Sequence, residues 1–136
     1  MAGYSQTPLV KKLGLKPGYR ALLINAPKGF ARELEPLPPE IKFVSTGTKT
    51  QLDFILFFVD SAKTLLKQLP GLKERLANNG MLWVAWPKKS SAVPTDMNFD
   101  IVQQTGLNIG LVDVKICAVN DIWSGLKFVY RLRDRK

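Results

Sequence analysis

Three segments of this 136-residue chain are apolar at nearly every position, and they constrain its fold more than any other feature. They are residues 19–25 (YRALLIN), 52–59 (LDFILFFV) and 81–86 (MLWVAW). A strand with one face in water alternates apolar and polar side chains, and these segments do not alternate. Each one therefore predicts a strand that is covered on both faces, as in a parallel sheet with helices on its two sides.

Helix signals lie between these apolar segments. The spacing of apolar residues and helix-breaking residues predicts helices over residues 8–13, 61–78 and 97–108. Polar side chains at the start of each helix predict the N-caps, namely Thr7, then Asp60 or Ser61, then Thr95 with Asp96. The second helix is predicted to bury one face of leucines, comprising Leu65, Leu66, Leu69, Leu72 and Leu76.

Three further strands are predicted over residues 41–45, 111–119 and 126–132. The connection between the last two is too short for a parallel crossover, so they are expected to pair antiparallel. The resulting fold class is α/β, a three-layer Rossmann-like sandwich with a mainly parallel sheet and a C-terminal antiparallel hairpin. We expect residues 1–136 to form a single domain of this kind.

The counts of charged, histidine and cysteine residues limit the reactions and metal sites that this chain can support. The chain has 20 Lys and Arg against 11 Asp and Glu, which gives a net charge of +9, and it has no histidine and one cysteine, Cys117. Histidine-based catalysis and histidine metal ligation are thereby excluded, and one thiol cannot close an intrachain disulfide. A free thiol and the absence of a long apolar segment favour a cytoplasmic protein that does not enter a membrane.

Several segments carry a resemblance to the class I methyltransferase-type Rossmann fold. Residues 52–56 (LDFIL) resemble its fourth strand, residues 76–83 (LANNGMLW) resemble the helix exit and fifth strand, and the hairpin around Trp123 resembles its last two strands. The chain resembles a shortened form of that fold, because it lacks the helix and strand that normally follow the second strand.

Nearly the whole chain also resembles a small bacterial family known only as domain of unknown function number three thousand and fifty-two. The matching segments are residues 4–9 (YSQTPL), 83–89 (WVAWPKK) and 123–128 (WSGLKF). This resemblance implies a fold and no activity, so function has to be argued from the residues.

A nucleotide cofactor is not expected. A dinucleotide or S-adenosylmethionine site needs glycines after the first strand, so that the backbone can approach the ligand. The corresponding loop, residues 25–29 (NAPKG), has one glycine, and Pro27 removes a backbone donor. An acidic residue that would bind the ribose is also missing where the second strand ends, at Ser45 and Thr46.

Ligands of open parallel sheets bind beyond the carboxyl ends of the strands. That edge is predicted to carry side chains suited to an anion, with three lysines and several hydrogen-bonding or aromatic groups. The candidate ligand-binding residues are Asn25, Lys28, Ser61, Trp86, Lys88, Lys89, Trp123 and Ser124.

Structural roles account for the same residues. Asp60, Ser61 and Thr95 would serve only as helix caps, Lys88 and Lys89 would form a solvated loop, and each tryptophan would pack in the core. A general base would have to come from Asp60, Asp96, Asp121 or a lysine, and Cys117 is predicted to be an inert core thiol.

The sequence therefore predicts a non-catalytic module that binds an anionic small molecule or partner at the carboxyl edge of the sheet. One alternative is a divergent S-adenosylmethionine-dependent methyltransferase-like enzyme. Another is a basic protein associated with nucleic acid, which the net charge favours although the cations are spread along the sequence. The oligomeric state is left open.

Overall fold

A computed structural model describes residues 7–47 and 50–135. Residues 4–6 of the family-like N-terminal segment, and Lys136, lie outside this description. The strands are β1 (Arg20–Ile24), β2 (Lys42–Phe43), β3 (Leu52–Phe58), β4 (Leu76–Pro87), β5 (Leu111–Ala118) and β6 (Trp123–Tyr130). The α-helices are α1 (Leu9–Leu13), α2 (Ala62–Glu74) and α3 (Phe99–Asn108), and short 3-10 helices span Phe30–Leu34 and Leu132–Asp134.

The six strands form one sheet in the order β2-β1-β3-β4-β6-β5. Neighbouring strands from β2 to β4 are parallel, and β6 pairs antiparallel with both β4 and β5. This arrangement confirms the predicted α/β sandwich with a C-terminal antiparallel hairpin. Strands β1, β3 and β4 are the segments whose apolar side chains occupy both faces, as the sequence pattern predicts, whereas the short edge strand β2 is exposed.

Helices cover the sheet on its two faces. On one face α2 and α3 pack against a cluster that includes Ile55, Phe57 and Trp86, while on the other α1 and the first 3-10 helix pack around Phe54 and Trp83. The fully buried indole Nε1 of Trp83 donates a 2.8 Å hydrogen bond to the carbonyl of Leu13, which ties α1 to the middle of β4.

The end of α2 differs from the prediction. The helix ends at Glu74, and Leu76 begins β4 instead of lying on the helical face. Parallel pairing explains this, since the backbone N–H of Leu52 donates to the carbonyl of Arg75 at 2.8 Å and so draws the chain into the sheet. The predicted buried position of Leu66 is also wrong, because its side chain is 60% exposed.

The helix starts shift as well. Pro8, not Thr7, is the N-cap residue of α1, and Asn98 caps α3 through a 2.9 Å bond from the Ile101 N–H to its Oδ1. The last strand begins at Trp123, earlier than predicted. Asn120 Oδ1 accepts hydrogen bonds from the backbone N–H groups of Ile122 and Trp123, which tightens the turn before this strand.

Two helical glycines provide a test of this packing. A Cβ at Gly106 in α3 would lie 2.1 Å from the ring of Phe128, which is fully buried and has no room to move. We expect Gly106→Ala to lower the free energy of unfolding by about 1–3 kcal/mol through overpacking. Gly71 in α2 is exposed with open space around it, so Gly71→Ala should raise stability by about 0.5–1 kcal/mol. Urea denaturation of both variants measures this, and equal effects would contradict the packing of α3 on β6.

Candidate functional site

The strand order places a topological switch point between β1 and β3. The chain crosses from β1 to β2 on one side, and the remaining strands lie on the other. Connections that diverge in this way leave a crevice at the carboxyl ends of the two strands, where ligands of such sheets bind.

A cavity of about 280 Å³ lies at this switch point, lined by Asn25, Phe58, Val59, Asp60, Thr64 and Trp123. Asn25 directly follows β1 and adopts a left-handed backbone conformation with φ of 58°, which is uncommon for a residue with a side chain. Its Nδ2 donates a long 3.4 Å bond to the carbonyl of Phe58. The residue that ends β1 is thereby linked to the end of β3.

Trp123 closes this cavity from the start of β6. Its ring meets that of Phe58 edge-on, with 5.1 Å between centroids and 88° between planes, and Phe58 in turn packs against Phe30. The backbone N–H of Trp123 donates to Asn120 Oδ1 at 3.0 Å, which fixes the turn before it. The indole is half-buried, so one part of the ring packs against the core and another faces the cavity.

A second cavity, of about 440 Å³, lies at the same edge beyond β4. Its lining comprises Lys88, Lys89, Val93, Pro94, Thr95, Asp96, Met97 and Asn98. The backbone of Lys88 is held by a 2.7 Å bond from its N–H to the carbonyl of Ile122, and its own carbonyl accepts from Ser91 Oγ at 2.7 Å. In the described part of the chain neither lysine lies within 4.0 Å of a carboxylate.

Two hydrogen bonds join the segment before α3 to the end of β3 and the start of α2. Thr95 Oγ1 donates to the carbonyl of Asp60 at 2.6 Å, and Asp96 Oδ1 accepts from the N–H of Ala62 at 2.9 Å. Thr95 and Asp96 were expected to cap the third helix, and that expectation is wrong. They satisfy groups at the end of β3 and the start of α2, while Asn98 caps α3.

The structure divides the eight predicted residues between several environments. Asn25 and Trp123 share the switch-point cavity, and Lys88 and Lys89 share the larger one. Lys28 is exposed in the loop after β1 and lines neither cavity.

The other three predicted residues, Ser61, Trp86 and Ser124, line neither cavity. The hydroxyl of Ser61 caps α2 by accepting from Thr64 N–H at 3.3 Å. Trp86 is 5% exposed and belongs to the core beneath α2 and α3, so its predicted stacking on a ligand has no open ring face to use. Ser124 lies opposite Trp86 in the sheet and lines neither cavity.

Some lining residues were not among the predicted ligand-binding set. Thr64 stands three residues after the predicted cap, in the first turn of α2, and that spacing places it at the strand edge. Asn98 lies close to the predicted caps, and predicting its role would have required knowing that α3 begins at Phe99. Asp60 directly follows the most apolar strand, a position from which side chains of parallel sheets reach a ligand.

The single thiol lies on the hairpin and lines neither cavity. Cys117 is half-buried on β5, and burial raises its pKa above the ordinary value, an effect that Lys12, Lys115 and Lys127 partly oppose. Among the described residues no cluster of three or more acidic or sulfur side chains is placed to hold a metal ion. The described helices are also each too short or too polar to cross a membrane.

Comparison with solved structures identifies the fold. A ribosomal protein L11 methylase from Lactobacillus delbrueckii subsp. bulgaricus aligns with a TM-score of 0.63 at 13% identity, over 90% of this chain and 75% of that one. An S-adenosylmethionine-dependent methyltransferase from Aquifex aeolicus aligns at 0.64 and 14%, over 88% and 86%. Fibrillarin from Aeropyrum pernix, with natively bound S-adenosylmethionine, aligns at 0.61 and 12%, over 93% and 70%.

The chain therefore has a methyltransferase-like Rossmann fold. Neither a protein-family model nor a curated protein sequence matches it. Identities this low establish the fold alone and leave the activity to the residues of the site.

The bond from Ala62 to Asp96 generates a stability prediction. Asp96→Ala removes the acceptor for an N–H in the first turn of α2, so we expect the free energy of unfolding to fall by about 1 kcal/mol. Asp121→Ala removes the same charge from an exposed turn and should change stability by less than about 0.5 kcal/mol. Urea denaturation compares them, and equal losses would show that the Asp96 bond does not hold the two segments together.

Proposed function

We propose that this protein is a non-catalytic module that binds an anionic small molecule at the carboxyl edge of its sheet. The observation that carries the proposal is the larger cavity, where Lys88 and Lys89 stand without a carboxylate partner among the described residues. An anionic ligand would neutralise both ammonium groups in a concave site, where the surrounding protein weakens screening by water.

The N-cap of α3 contributes to the same cavity. Asn98, which caps α3, lines the cavity together with Lys88 and Lys89. The N-terminal end of a ten-residue helix carries partial positive charge and adds to the attraction for a phosphate or carboxylate. We place the anionic group of the ligand here.

The switch-point cavity suits the rest of such a molecule. Trp123 offers an aromatic surface, and the side chains of Asn25, Asp60 and Thr64 offer hydrogen-bond donors and acceptors. A ring that carries hydroxyl groups as well as a phosphate, as in a nucleoside monophosphate, matches both cavities in chemistry. AMP has both features and is therefore a suitable probe.

The residues present support binding more than chemistry. The sequence supplies no histidine, and its one thiol lies on β5 and lines neither cavity. Asp60 is the carboxylate best placed to act as a base, and in the same position it would accept a hydrogen bond from a hydroxyl of the ligand. We further propose that the chain belongs to the bacterial family of unknown function that its motifs resemble, and that it acts in the cytoplasm.

A thermal-shift panel tests the main proposal with phosphate, pyrophosphate, citrate and AMP. We expect at least one probe to raise the melting temperature of the native chain, and Lys88→Gln/Lys89→Gln to abolish that rise because both cations are lost. Lys63→Gln/Lys67→Gln removes the same charge from the exposed face of α2 and should leave it intact. An unchanged rise in the Lys88/Lys89 variant would show that the anion binds elsewhere.

A second candidate function is divergent, S-adenosylmethionine-dependent methyl transfer. The observation that favours it is the fold shared with methyltransferases, one of which was solved with S-adenosylmethionine bound, together with a cavity at the ends of β1 and β3. The loop at residues 25–29 counts against it, since it offers one glycine for a close approach of backbone to ligand.

Calorimetric titration with S-adenosylmethionine at high protein concentration separates the two candidates. If methyl transfer is the function, binding should be saturable and should weaken on Trp123→Ala, which removes the ring that closes the switch-point cavity. The non-catalytic proposal predicts a flat titration with S-adenosylmethionine beside a positive response to a phosphate-bearing probe.

A further inference from the structure

Four lysines gather on the α1 side of the terminal hairpin. They are Lys12 in α1, Lys16 just after it, Lys115 in β5 and Lys127 in β6. We call this set the hairpin lysine cluster. Neither of the two cavities contains any of these residues.

The strand register brings two of these cations face to face. Lys115 and Lys127 are cross-strand partners in the antiparallel β5–β6 pair. Like charges directly opposite each other destabilise a sheet, so this pair is a cost to the fold unless something neutralises it. A β-bulge lies between Asp113 and Lys115. As a result Lys115 points towards α1, whereas Asp113 accepts a hydrogen bond from Gln103 in α3.

Hydrogen bonds connect the strand lysine to those of the helix. Lys115 Nζ donates to the carbonyl of Lys12 at 2.9 Å, and Lys12 Nζ donates to the carbonyl of Ala118 at 3.1 Å. Each ammonium group has three N–H donors, so a single carbonyl leaves two free for another acceptor. The carbonyls are neutral and leave the positive charges uncompensated.

Lys127 lies deepest in the cluster. Its Nζ is 6.0 Å from the ring centroid of the buried Trp83, and partial burial lowers its pKa below the ordinary value, with Lys115 and Lys16 adding to the effect. In the described part of the chain none of the four lysines lies within 4.0 Å of a carboxylate. The field at this surface is therefore positive and without an internal counter-ion.

We propose that the hairpin lysine cluster binds the phosphate backbone of a nucleic acid. Its cations come from a helix, the segment after it and two strands, so successive phosphates of one polymer can neutralise them together. Lysine is a point charge without the planar fork of arginine, so this contact reads phosphate and not base sequence. Binding releases counter-ions from the polymer, which gives it a steep dependence on salt.

Fluorescence anisotropy with a labelled 20-base-pair DNA duplex, measured from 50 to 200 mM salt, tests the proposal. We expect the native chain to bind, and Lys115→Gln/Lys127→Gln to reduce the slope of log affinity against log salt by about 1.8, since each phosphate contact contributes about 0.9. Across this range the weakening by salt would be about tenfold smaller than for the native chain. Lys63→Gln/Lys67→Gln, with equal net charge, should keep the native slope.

The outcomes separate this site from the one proposed above. Lys88→Gln/Lys89→Gln should retain the native slope, since its lysines belong to the larger cavity. If the Lys115/Lys127 and Lys63/Lys67 variants lose the same amount of salt slope, binding depends only on net charge and the proposal is wrong. No binding at 50 mM salt, or binding to phosphatidylserine vesicles without binding to DNA, would also overturn it. Urea denaturation controls for folding, and removal of the opposed lysines should leave the unfolding free energy unchanged or raise it.

Discussion

Strand β3 is the element on which the rest of the sheet depends, because it is buried on both faces. Ile55 and Phe57 face the cluster beneath α2 and α3, whereas Phe54, Leu56 and Phe58 face the cluster beneath α1. Parallel neighbours on either side, β1 and β4, satisfy its backbone. A charged residue at any of these five inward positions would be desolvated without a partner, so one strand fixes both layers of the sandwich.

The same strand positions the edge at which we propose that ligands bind. Asp60 follows the carboxyl end of this strand and is connected to both cavities. It lines one cavity, and its carbonyl accepts a hydrogen bond from Thr95, which lines the other. The start of α2 follows immediately and is held by Asp96 from the segment before α3. The site is thus assembled from the ends of buried strands, while the hairpin lysine cluster is assembled from the register of exposed ones.

The fold was predictable from the sequence because burial on both faces leaves a direct pattern in the strands. Helix ends were less predictable, since they depend on partners distant in the chain. Residues 76–80 have helix-exit composition, yet pairing with Leu52 draws them into β4. Thr95 has the chemistry of a cap, but its hydroxyl bonds to Asp60, 35 residues away.

The candidate site was predictable at the level of the edge and not of each side chain. Lys88 directly follows a buried strand, so the sequence placed it at this edge of the sheet. Whether the Trp86 side chain is buried depends on which face of β4 packs against α2 and α3. Most of the net charge of +9 is spread along the sequence, apart from the basic segment at residues 131–136. Lys115 and Lys127 become neighbours only through the hairpin register, and Lys12 joins them only because α1 packs on that face.

Nuclear magnetic resonance of the 15N-labelled chain tests the central claim, that ligands bind at the carboxyl edge, most directly. Titration with AMP should shift the indole resonance of Trp123 and the amides of Lys88 and Lys89, because these groups line the two cavities. The indole of Trp83, bonded to the Leu13 carbonyl beneath α1, should stay in place. Saturable shifts confined to Trp83 and the hairpin lysine cluster, with Trp123 unmoved, would contradict the account.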